Sequence, residues 1–407
     1  MQERFRVLHL LNGATGGAAM STIALIERLK ALGIGSCAVC DDMGTPDERA
    51  RLRDAVDGKA RFTPLYWWNR KIRSALWKRP LLEARQLMRT GWRLWSTQAV
   101  LEAIDQWRPA LVHTNTLVTP EGAFASRKRG LPHVWHVREL IGSTAPFRLK
   151  LKEAALGTFL SRSCDRVIAN SYVAAACLRD WMPPGLLTVI PNGIDCSAFV
   201  SQPEKPTTGR TIIGMVGNLS SRMKKHHLFI EAAARVDPKL EIEWRIYGHD
   251  PSEGGQLQTD PYVNDLRALS RELRVDQKLK FPGHLPPPQI MQEIDLLVHP
   301  TDGESFGRVV VEAMAAAKPV VGVRAGGVGE IVIDDENGLL ANPNDSADLA
   351  RCITRMICDD GLRRRLAAAG RVRVERDFTI ETHTARVARV YEEVLISRAS
   401  AKPARTA

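Results

Sequence analysis

The sequence lacks both a long apolar run and a cysteine pattern that would form a disulfide framework. A membrane-spanning helix needs ~18 or more apolar residues in succession, and no run approaches that length. The N-terminal MQERFRVLHLLNGATGG places only about five apolar residues after its charges, too few for a signal-peptide core. The 7 cysteines are scattered and odd in number, which fits a reducing compartment. We therefore expect a cytoplasmic protein.

Cys37 and Cys40 form the Cys-x-x-Cys pair of SCAVCDD. That stretch is typical of a strand, where residues three apart face opposite sides of the sheet. No second such pair accompanies it. We interpret both residues as packed thiols rather than metal or redox ligands.

Several binding motifs are also missing. No Asp-x-Asp is present to hold a divalent metal on a diphosphate, so no metal and no cofactor are expected. NGATGG is neither Gly-x-Gly-x-x-Gly nor a P-loop, which disfavours dinucleotide or ATP binding. The net charge of +11 would suit nucleic acid, an anionic membrane or a phosphorylated substrate. Helix-turn-helix, zinc and RNA-recognition signals are absent, so no nucleic-acid partner is expected.

The 407 residues exceed the ~250–300 at which one core usually stops growing, which predicts two domains. FRVLHLL, a glycine turn, a helical pattern and SCAVCDD form a β-α-β unit. The pattern stops near the linker-like SQPEKPTTG (201–209) and restarts at TIIGMVGNL. The predicted fold is therefore α/β, with two Rossmann-like doubly wound domains facing an interdomain cleft at the carboxyl ends of their strands.

Two carboxylates eight residues apart flank the apolar stretch ESFGRVVVE. Ser305 is the predicted N-cap of a helix, whose first backbone N–H groups, near Phe306 and Gly307, would attract an anion. Glu304 precedes this helix, and Glu312 is expected about two turns into it. The spacing suits a nucleotide-sugar, with Glu312 on ribose hydroxyls and Glu304 on the sugar beyond the phosphates. The alternative is a capped helix whose two glutamates are solvated.

The turn GNLSSRMKKHH places Arg222, Lys224 and Lys225 before a second helix, where cations would offset a diphosphate. The alternative is a solvated basic turn. Gly16 and Gly17, in the first glycine turn, would let helix backbone approach the ligand from the first domain.

Together these stretches resemble retaining glycosyltransferase family 4. ESFGRVVVEAMAAAKPVVGVRAGGVGEIV is similar to the family's E-x7-E donor signature, and NGATGGAAMSTIALIERL, VIANS, VIPNGID and VGNLSSRMKKHH match further segments in the same order. The resemblance covers nearly the whole chain and implies the GT-B architecture. It implies an acceptor-side domain at 1–198, joined by a C-terminal helix at about 380–398, and a donor domain at 199–379.

The resemblance also implies roles for individual residues. With Arg222 added from the basic turn, the predicted catalytic set is Glu304, His136, Arg222 and Lys224. With Gly217, Asn218 and Lys225 added from the same turn, the predicted donor-binding set is Gly16, Gly17, Gly217, Asn218, Lys225, Gly283, His284, Ser305, Phe306, Gly307 and Glu312. The family commonly has Arg where this chain has Asn218, so Arg222 is interpreted as the replacement cation. No covalent nucleophile stands out, and His136 is either a general base or a packed histidine.

A basic, tryptophan-rich stretch at 61–95 holds five of the nine tryptophans. Such amphipathic segments suit a membrane interface, which predicts a lipid-linked acceptor and a peripheral location on the inner face of the cell membrane. The acceptor and membrane candidates are Trp67, Trp68, Arg70, Lys71, Arg73, Trp77, Lys78 and Arg79. The alternative is that the tryptophans pack into the domain core.

The expected function is metal-independent, retaining transfer of a sugar from a nucleoside-diphosphate sugar to a glycan or lipid-linked acceptor in bacterial surface polysaccharide or glycolipid assembly. One alternative is a catalytically weak or silent homologue that acts as a nucleotide-sugar-binding subunit. Another is a sugar-nucleotide epimerase on the same scaffold. The motifs do not encode the base, the sugar, the linkage or the oligomeric state.

Overall fold

The structure, a computed structural model, describes residues 3–65, 69–70, 95–141, 148–149, 153–199, 209–219, 221–249 and 260–400. The chain divides into two compact units. The first unit comprises 1–193 and 380–407, and the second unit comprises 194–379. No helix of the described residues is long and apolar enough to cross a membrane.

The first unit contains a seven-stranded parallel sheet with strand order β3-β2-β1-β5-β6-β8-β9. Its elements are β1 (Phe5–Leu11), α1 (Gly16–Ala31), β2 (Ile34–Cys40), α2 (Pro46–Ala55), β3 (Ala60–Phe62), β4 (Asn69–Arg70), α3 (95–107), β5 (Leu111–Thr114), α4 (Glu121–Arg129), β6 (His133–Val137), β7 (Arg148–Leu149), α5 (Glu153–Ser163), β8 (Arg166–Ala169), α6 (Tyr172–Arg179), β9 (Leu187–Val189) and α14 (Ile380–Ser400).

The last helix, α14, belongs to the first unit although it follows the second unit in sequence. Its apolar face buries Val387 and Tyr391 in one cluster with Val7 of β1 and Leu25 of α1. Burial of such side chains contributes roughly 1.5–3 kcal/mol each, so this packing anchors the helix.

The second unit contains a six-stranded parallel sheet with strand order β12-β11-β10-β13-β14-β15. Its elements are β10 (Thr211–Val216), α7 (His226–Ala233), β11 (Ile242–Tyr247), α8 (Pro261–Glu272), β12 (Leu279–Gly283), α9 (Pro287–Glu293), β13 (Leu296–His299), α10 (Arg308–Ala315), β14 (Val320–Val323), α11 (Val328–Ile331), β15 (Leu339–Ala341), α12 (Ser346–Cys358) and α13 (Asp360–Asp377). Numbered within the unit, the order is 3-2-1-4-5-6, that of a dinucleotide-binding Rossmann sheet.

The strands of both sheets are mostly apolar runs because helices cover both faces. Every residue of β13 and of β14 is buried. The predicted class of two Rossmann-like parallel-sheet domains is therefore confirmed. Loops that follow the carboxyl ends of the central strands are where such sheets bind ligands, and in the second unit these loops carry the predicted donor residues.

Candidate active site

The loop between β13 and α10 carries the two glutamates, and it differs from its prediction at the start of the helix. The N-cap of α10 is Gly307, with φ +94° and no side-chain cap. The prediction of Ser305 as N-cap is therefore wrong, because the left-handed backbone of Gly307 interrupts the helical path before Arg308. Glu312 consequently lies about one turn into the helix rather than two.

Glu304 contacts Lys224 directly, although the two residues are 80 positions apart in sequence. Lys224 ends a 3-10 turn that follows β10, and Glu304 lies in the loop after β13, the neighbouring strand. Each side chain is about a quarter or less exposed, at 25% and 21%. The fold thus joins a cation and a carboxylate from two separate motifs at one edge of the sheet.

The charge of Glu304 is set by two opposing effects. Burial alone would raise the pKa of its carboxyl group, but Lys224 and then His299 act in the other direction, and the pKa is lowered overall. Glu304 is therefore ionised at neutral pH and can accept hydrogen bonds from hydroxyl groups.

Glu312 is nearly buried, with 3% of its side chain exposed, and its Oε1 lies 2.6 Å from Nε of Arg308. Burial raises the pKa of Glu312, and Arg308 opposes that rise. A carboxylate placed among buried neighbours such as Val311 and Met314 is costly unless it is paired or hydrogen-bonded. Arg308 was not among the predicted site residues, although it lies four positions before Glu312, a spacing at which side chains pair on a helix.

Glycines lie at the carboxyl ends of three neighbouring strands, where Gly217 follows β10, Gly248 follows β11 and Gly283 ends β12. The N–H of Gly248 donates to the carbonyl of Gly283 at 3.0 Å, and a Cβ on Gly248 would lie 1.9 Å from the carbonyl oxygen of Gly217. A Cβ on Gly217 would in turn lie 2.9 Å from the Lys224 side chain. Only glycine lets these segments approach so closely. His284 follows Gly283 and is exposed.

A pair of glycines after β14 holds the Glu304 loop. The N–H of Gly327 donates to the carbonyl of Glu304 at 2.8 Å. A Cβ on Gly326 would lie 2.5 Å from that same oxygen, and one on Gly327 would lie 2.4 Å from the carbonyl oxygen of Ser305. Phe306 is 4% exposed and packs in the core beneath this loop, so it contributes backbone rather than its ring to the surface.

The remaining residues of the basic turn are directed elsewhere. Arg222 lies 3.1 Å from Asp265 of α8, and its guanidinium is 4.4 Å from the centre of the Tyr262 ring. Lys225 lies 3.4 Å from Asp302. Asn218 is exposed at the start of the turn. The structure therefore brings Lys224, and not Arg222, onto Glu304.

The predicted residues of the first unit lie in two places, at the start of α1 and in β6. Gly16 and Gly17 begin α1, and Gly16 has φ +83°, a conformation that favours glycine. His136 is fully buried in β6, with ring centroids 5.4 Å from His113 and 6.0 Å from His383. Burial first, and then Arg138 and the neighbouring imidazoles, hold the pKa of His136 well below its usual value.

Most of the predicted membrane segment lies outside the described residues. This applies to Trp67, Trp68, Lys71, Arg73, Trp77, Lys78 and Arg79. For Arg70 the structure describes only the backbone, as part of β4. Trp95, the last residue of that segment, begins the described part of α3 and is 53% exposed. Among the described residues, no group of three or more histidine, cysteine, aspartate or glutamate side chains is arranged to hold a metal ion.

Two Rossmann-like parallel-sheet units, with charged groups after the strands of the second sheet, fit the GT-B class of glycosyltransferases. Residues 15–198 match Glycosyltransferase Family 4, and residues 198–373 match Glycosyl transferases group 1. The chain therefore belongs to the family 4 glycosyltransferases, as its sequence resemblance predicts.

Curated relatives span most of the chain. A glycogen synthase of Mycobacterium tuberculosis is 29% identical over 300 residues, which cover 70% of this chain and 69% of that protein. A D-inositol 3-phosphate glycosyltransferase of Acidothermus cellulolyticus is 29% identical over 346 residues, which cover 76% and 74%.

Solved structures share the fold over nearly the full length. The Anabaena Alr3699/HepE protein in complex with UDP-glucose superposes with a TM-score of 0.75 at 23% identity, covering 96% of this chain and 100% of that one. Sucrose-phosphate synthase of Thermosynechococcus elongatus gives a TM-score of 0.72 at 19% identity, covering 96% and 100%.

Proposed function

We propose that this glycosyltransferase moves a sugar from a nucleoside-diphosphate sugar to an acceptor with retention of anomeric configuration and without a metal ion. The observation that carries the proposal is the group formed by Lys224, Glu304 and the Arg308–Glu312 pair after β10 and β13. Lys224 supplies a cation for the leaving diphosphate, Glu304 accepts sugar hydroxyls, and Glu312 accepts ribose hydroxyls. The complex of the Anabaena protein with UDP-glucose supports a donor of this class.

The donor is tested by the thermal shift that UDP-, GDP- and ADP-glucose produce in the wild-type protein and in Glu312→Gln. A ligand that binds only the native state raises the melting temperature. We expect one nucleotide to stabilise the wild type by several degrees and Glu312→Gln much less, and the exposed Glu336→Gln should behave as wild type. If no nucleotide sugar shifts the wild type, the donor assignment is wrong.

Retention is tested separately from binding. Slow hydrolysis of an α-linked donor, followed by proton NMR, should release the α-anomer first if the configuration is retained. The β-anomer first would indicate inversion. Donor binding without any turnover, in the presence of glycan and lipid-linked acceptors, would favour a nucleotide-sugar-binding subunit, in line with Asn218 in the phosphate turn. Conversion of the donor without an acceptor would favour an epimerase.

We further infer a lipid-linked acceptor at the inner membrane face, in surface polysaccharide or glycolipid assembly. The basic, tryptophan-rich composition of 61–95 and the exposed Trp95 support it. Flotation with anionic liposomes at low salt should carry the wild type, and neutral liposomes should not. Arg85→Glu with Arg89→Glu should lose flotation, while the equal charge change Arg127→Glu with Lys128→Glu on the exposed end of α4 should not. No flotation of the wild type would refute the membrane assignment.

A further inference from the structure

His299, the last residue of β13, is a buried imidazole beside the candidate active site. It is 1% exposed, and within the described part of the chain neither ring nitrogen has a hydrogen-bond partner. Its Nε2 lies 3.7 Å from Oε1 of Glu304, just beyond hydrogen-bond distance. A buried polar group without a partner lowers the free energy of unfolding by roughly 1–3 kcal/mol. A group that is kept at this cost is a candidate for a functional role.

Among the residues that the structure describes, two charged groups act on this ring, and they come from different segments. Glu304 approaches from the loop after β13, and Lys224 approaches from the turn after β10. The paired position on β14 is Gly322, which has no side chain, and β10 (TIIGMV) has no titratable residue. The nearby Lys225 and Asp302 pair with each other. Apart from burial, the charge state of His299 therefore depends on Glu304 and Lys224.

The present contacts keep His299 neutral. Burial first lowers the pKa of His299 to about 4, Glu304 acts to raise it, and Lys224 acts to lower it. Lys224 already neutralises the charge of Glu304. A protonated His299 beside the same carboxylate would therefore gain little further electrostatic stabilisation.

The proposed function gives Lys224 a second partner. If the ammonium group of Lys224 moves to the donor diphosphate, Glu304 is left as a largely buried carboxylate without its ion-pair partner. Removal of Lys224 also removes the repulsion that disfavours an imidazolium at His299. Both changes favour protonation of the His299 ring, which already lies beside Glu304.

We propose that His299 is a positioning residue that takes up a proton when Lys224 moves to the diphosphate, and that the resulting imidazolium holds Glu304 toward the sugar. The proton comes from solvent and adds to a ring nitrogen, and no substrate bond forms or breaks in this step. The proposal rests on the proposed function for its trigger, but the coupling among the three side chains is independent of any donor.

The donor-free coupling is tested by NMR titration of histidine ring protons, with the His299 signal assigned through its loss in His299→Gln. In Lys224→Met, the pKa of His299 should rise by at least one unit relative to the wild type. In Lys225→Met it should not change, because Lys225 pairs with Asp302. An unchanged His299 titration in Lys224→Met would overturn the proposal even if donor binding is normal.

The donor-linked step is tested by calorimetry of UDP binding at pH 5, about one unit above the pKa of His299 in the free protein, in two buffers that differ in ionisation enthalpy. The wild type should take up about 0.4 proton or more per UDP bound, the amount that a rise of that pKa by one unit or more gives at this pH. His299→Gln should bind UDP with no such uptake, and His227→Gln, in the helix α7 that follows the basic turn, should retain it. UDP binding without uptake in the wild type, or loss of uptake in His227→Gln, would overturn the proposal. Failure of the wild type to bind UDP would instead refute the proposed function.

Discussion

Arg308 and Glu312 form an ion pair one turn apart on α10, with 2.6 Å between Nε and Oε1, and the carboxylate is almost completely buried. Removal of the arginine leaves a buried charge without its partner, which is costly. Arg308→Leu should lower the free energy of unfolding by about 2 kcal/mol at neutral pH. Urea unfolding measures this loss.

The pH dependence of that loss follows from the sign of the pKa shift. Burial raises the pKa of Glu312, so the cost of ionising it in the folded state is absent at low pH and appears as pH rises through the folded pKa. Without Arg308 the pKa should rise further, and Arg308→Leu should lose more stability at pH 8 than at pH 5. In the double variant with Glu312→Gln the difference between the two pH values should disappear. An equal loss at both pH values would contradict this account.

Long apolar strands were the most predictable part of the fold. FRVLHLL and TIIGMVGNL have the apolar run and following turn of buried parallel strands, and both became central strands of their sheets. The three-residue strands Ala60–Phe62 and Leu187–Val189 were missed because so short a run has no periodicity of its own. Both lie at sheet edges, where pairing with one neighbour determines them.

The candidate site was predictable as a set of segments rather than as a set of contacts. Residue types and spacing pointed to Glu304, Glu312 and the basic turn, because carboxylates accept hydrogen bonds from hydroxyl groups and cations bind phosphates. They could not select Lys224 over Arg222, because that choice depends on the turn geometry that directs Arg222 onto α8. His299 was missed because a lone histidine in an apolar strand cannot be distinguished by sequence from a packed one.

Gly327 packs directly against the backbone of the Glu304 loop, so a methyl group at this position should disturb donor binding. A Cβ would lie 2.4 Å from the carbonyl oxygen of Ser305 and 2.6 Å from Cα of Phe306, both backbone atoms. Gly327→Ala should lower stability by about 1–3 kcal/mol and weaken UDP binding at least tenfold.

The matched control lies two residues further along the chain. A Cβ on Gly329, in α11, would meet nothing closer than 4.0 Å, so Gly329→Ala should keep the melting temperature and UDP affinity of the wild type. Calorimetric titration of both variants with UDP makes the comparison. Equal affinities would show that the loop tolerates displacement and that Gly327 does not position Glu304.

The Cys37 and Cys40 thiols should be chemically inert in the native protein. They lie in different core clusters on opposite faces of β2, and burial raises the pKa of each to about 12. Iodoacetamide reacts with thiolates, so at pH 7.5 it should label the exposed Cys358 and leave both strand cysteines unlabelled until urea is added. Mass spectrometry of the native and unfolded samples measures the labelling. Rapid labelling of Cys37 or Cys40 in the native protein would contradict their interpretation as packed thiols and would support a redox or metal role for the pair.

Buried histidines should make the first unit sensitive to acid. Burial is the main cause that lowers the pKa of His9 and of His383 from 6.5 to about 3, and that of His133 to about 4. His113 and His136 shift in the same direction. Below pH 6.5 these histidines therefore bind protons in the unfolded chain but stay neutral in the folded chain. Stability is fully present above pH 6.5 and falls as pH drops toward 3–4, by up to about 1.4 kcal/mol per histidine per pH unit.

The contribution of one histidine can be isolated within this slope. The ring of His383 lies beside His136, and its Nδ1 is 2.7 Å from the carbonyl oxygen of Pro191. In His383→Asn, the free energy of unfolding should fall less steeply between pH 7 and pH 5 than in the wild type, by up to about 1.4 kcal/mol per pH unit. His284→Asn, at an exposed position in the second unit and outside this cluster, is the matched control. Urea unfolding at several pH values measures both slopes. A wild-type slope that is flat across this range would mean that water enters the cluster and that its imidazoles are not held neutral by burial.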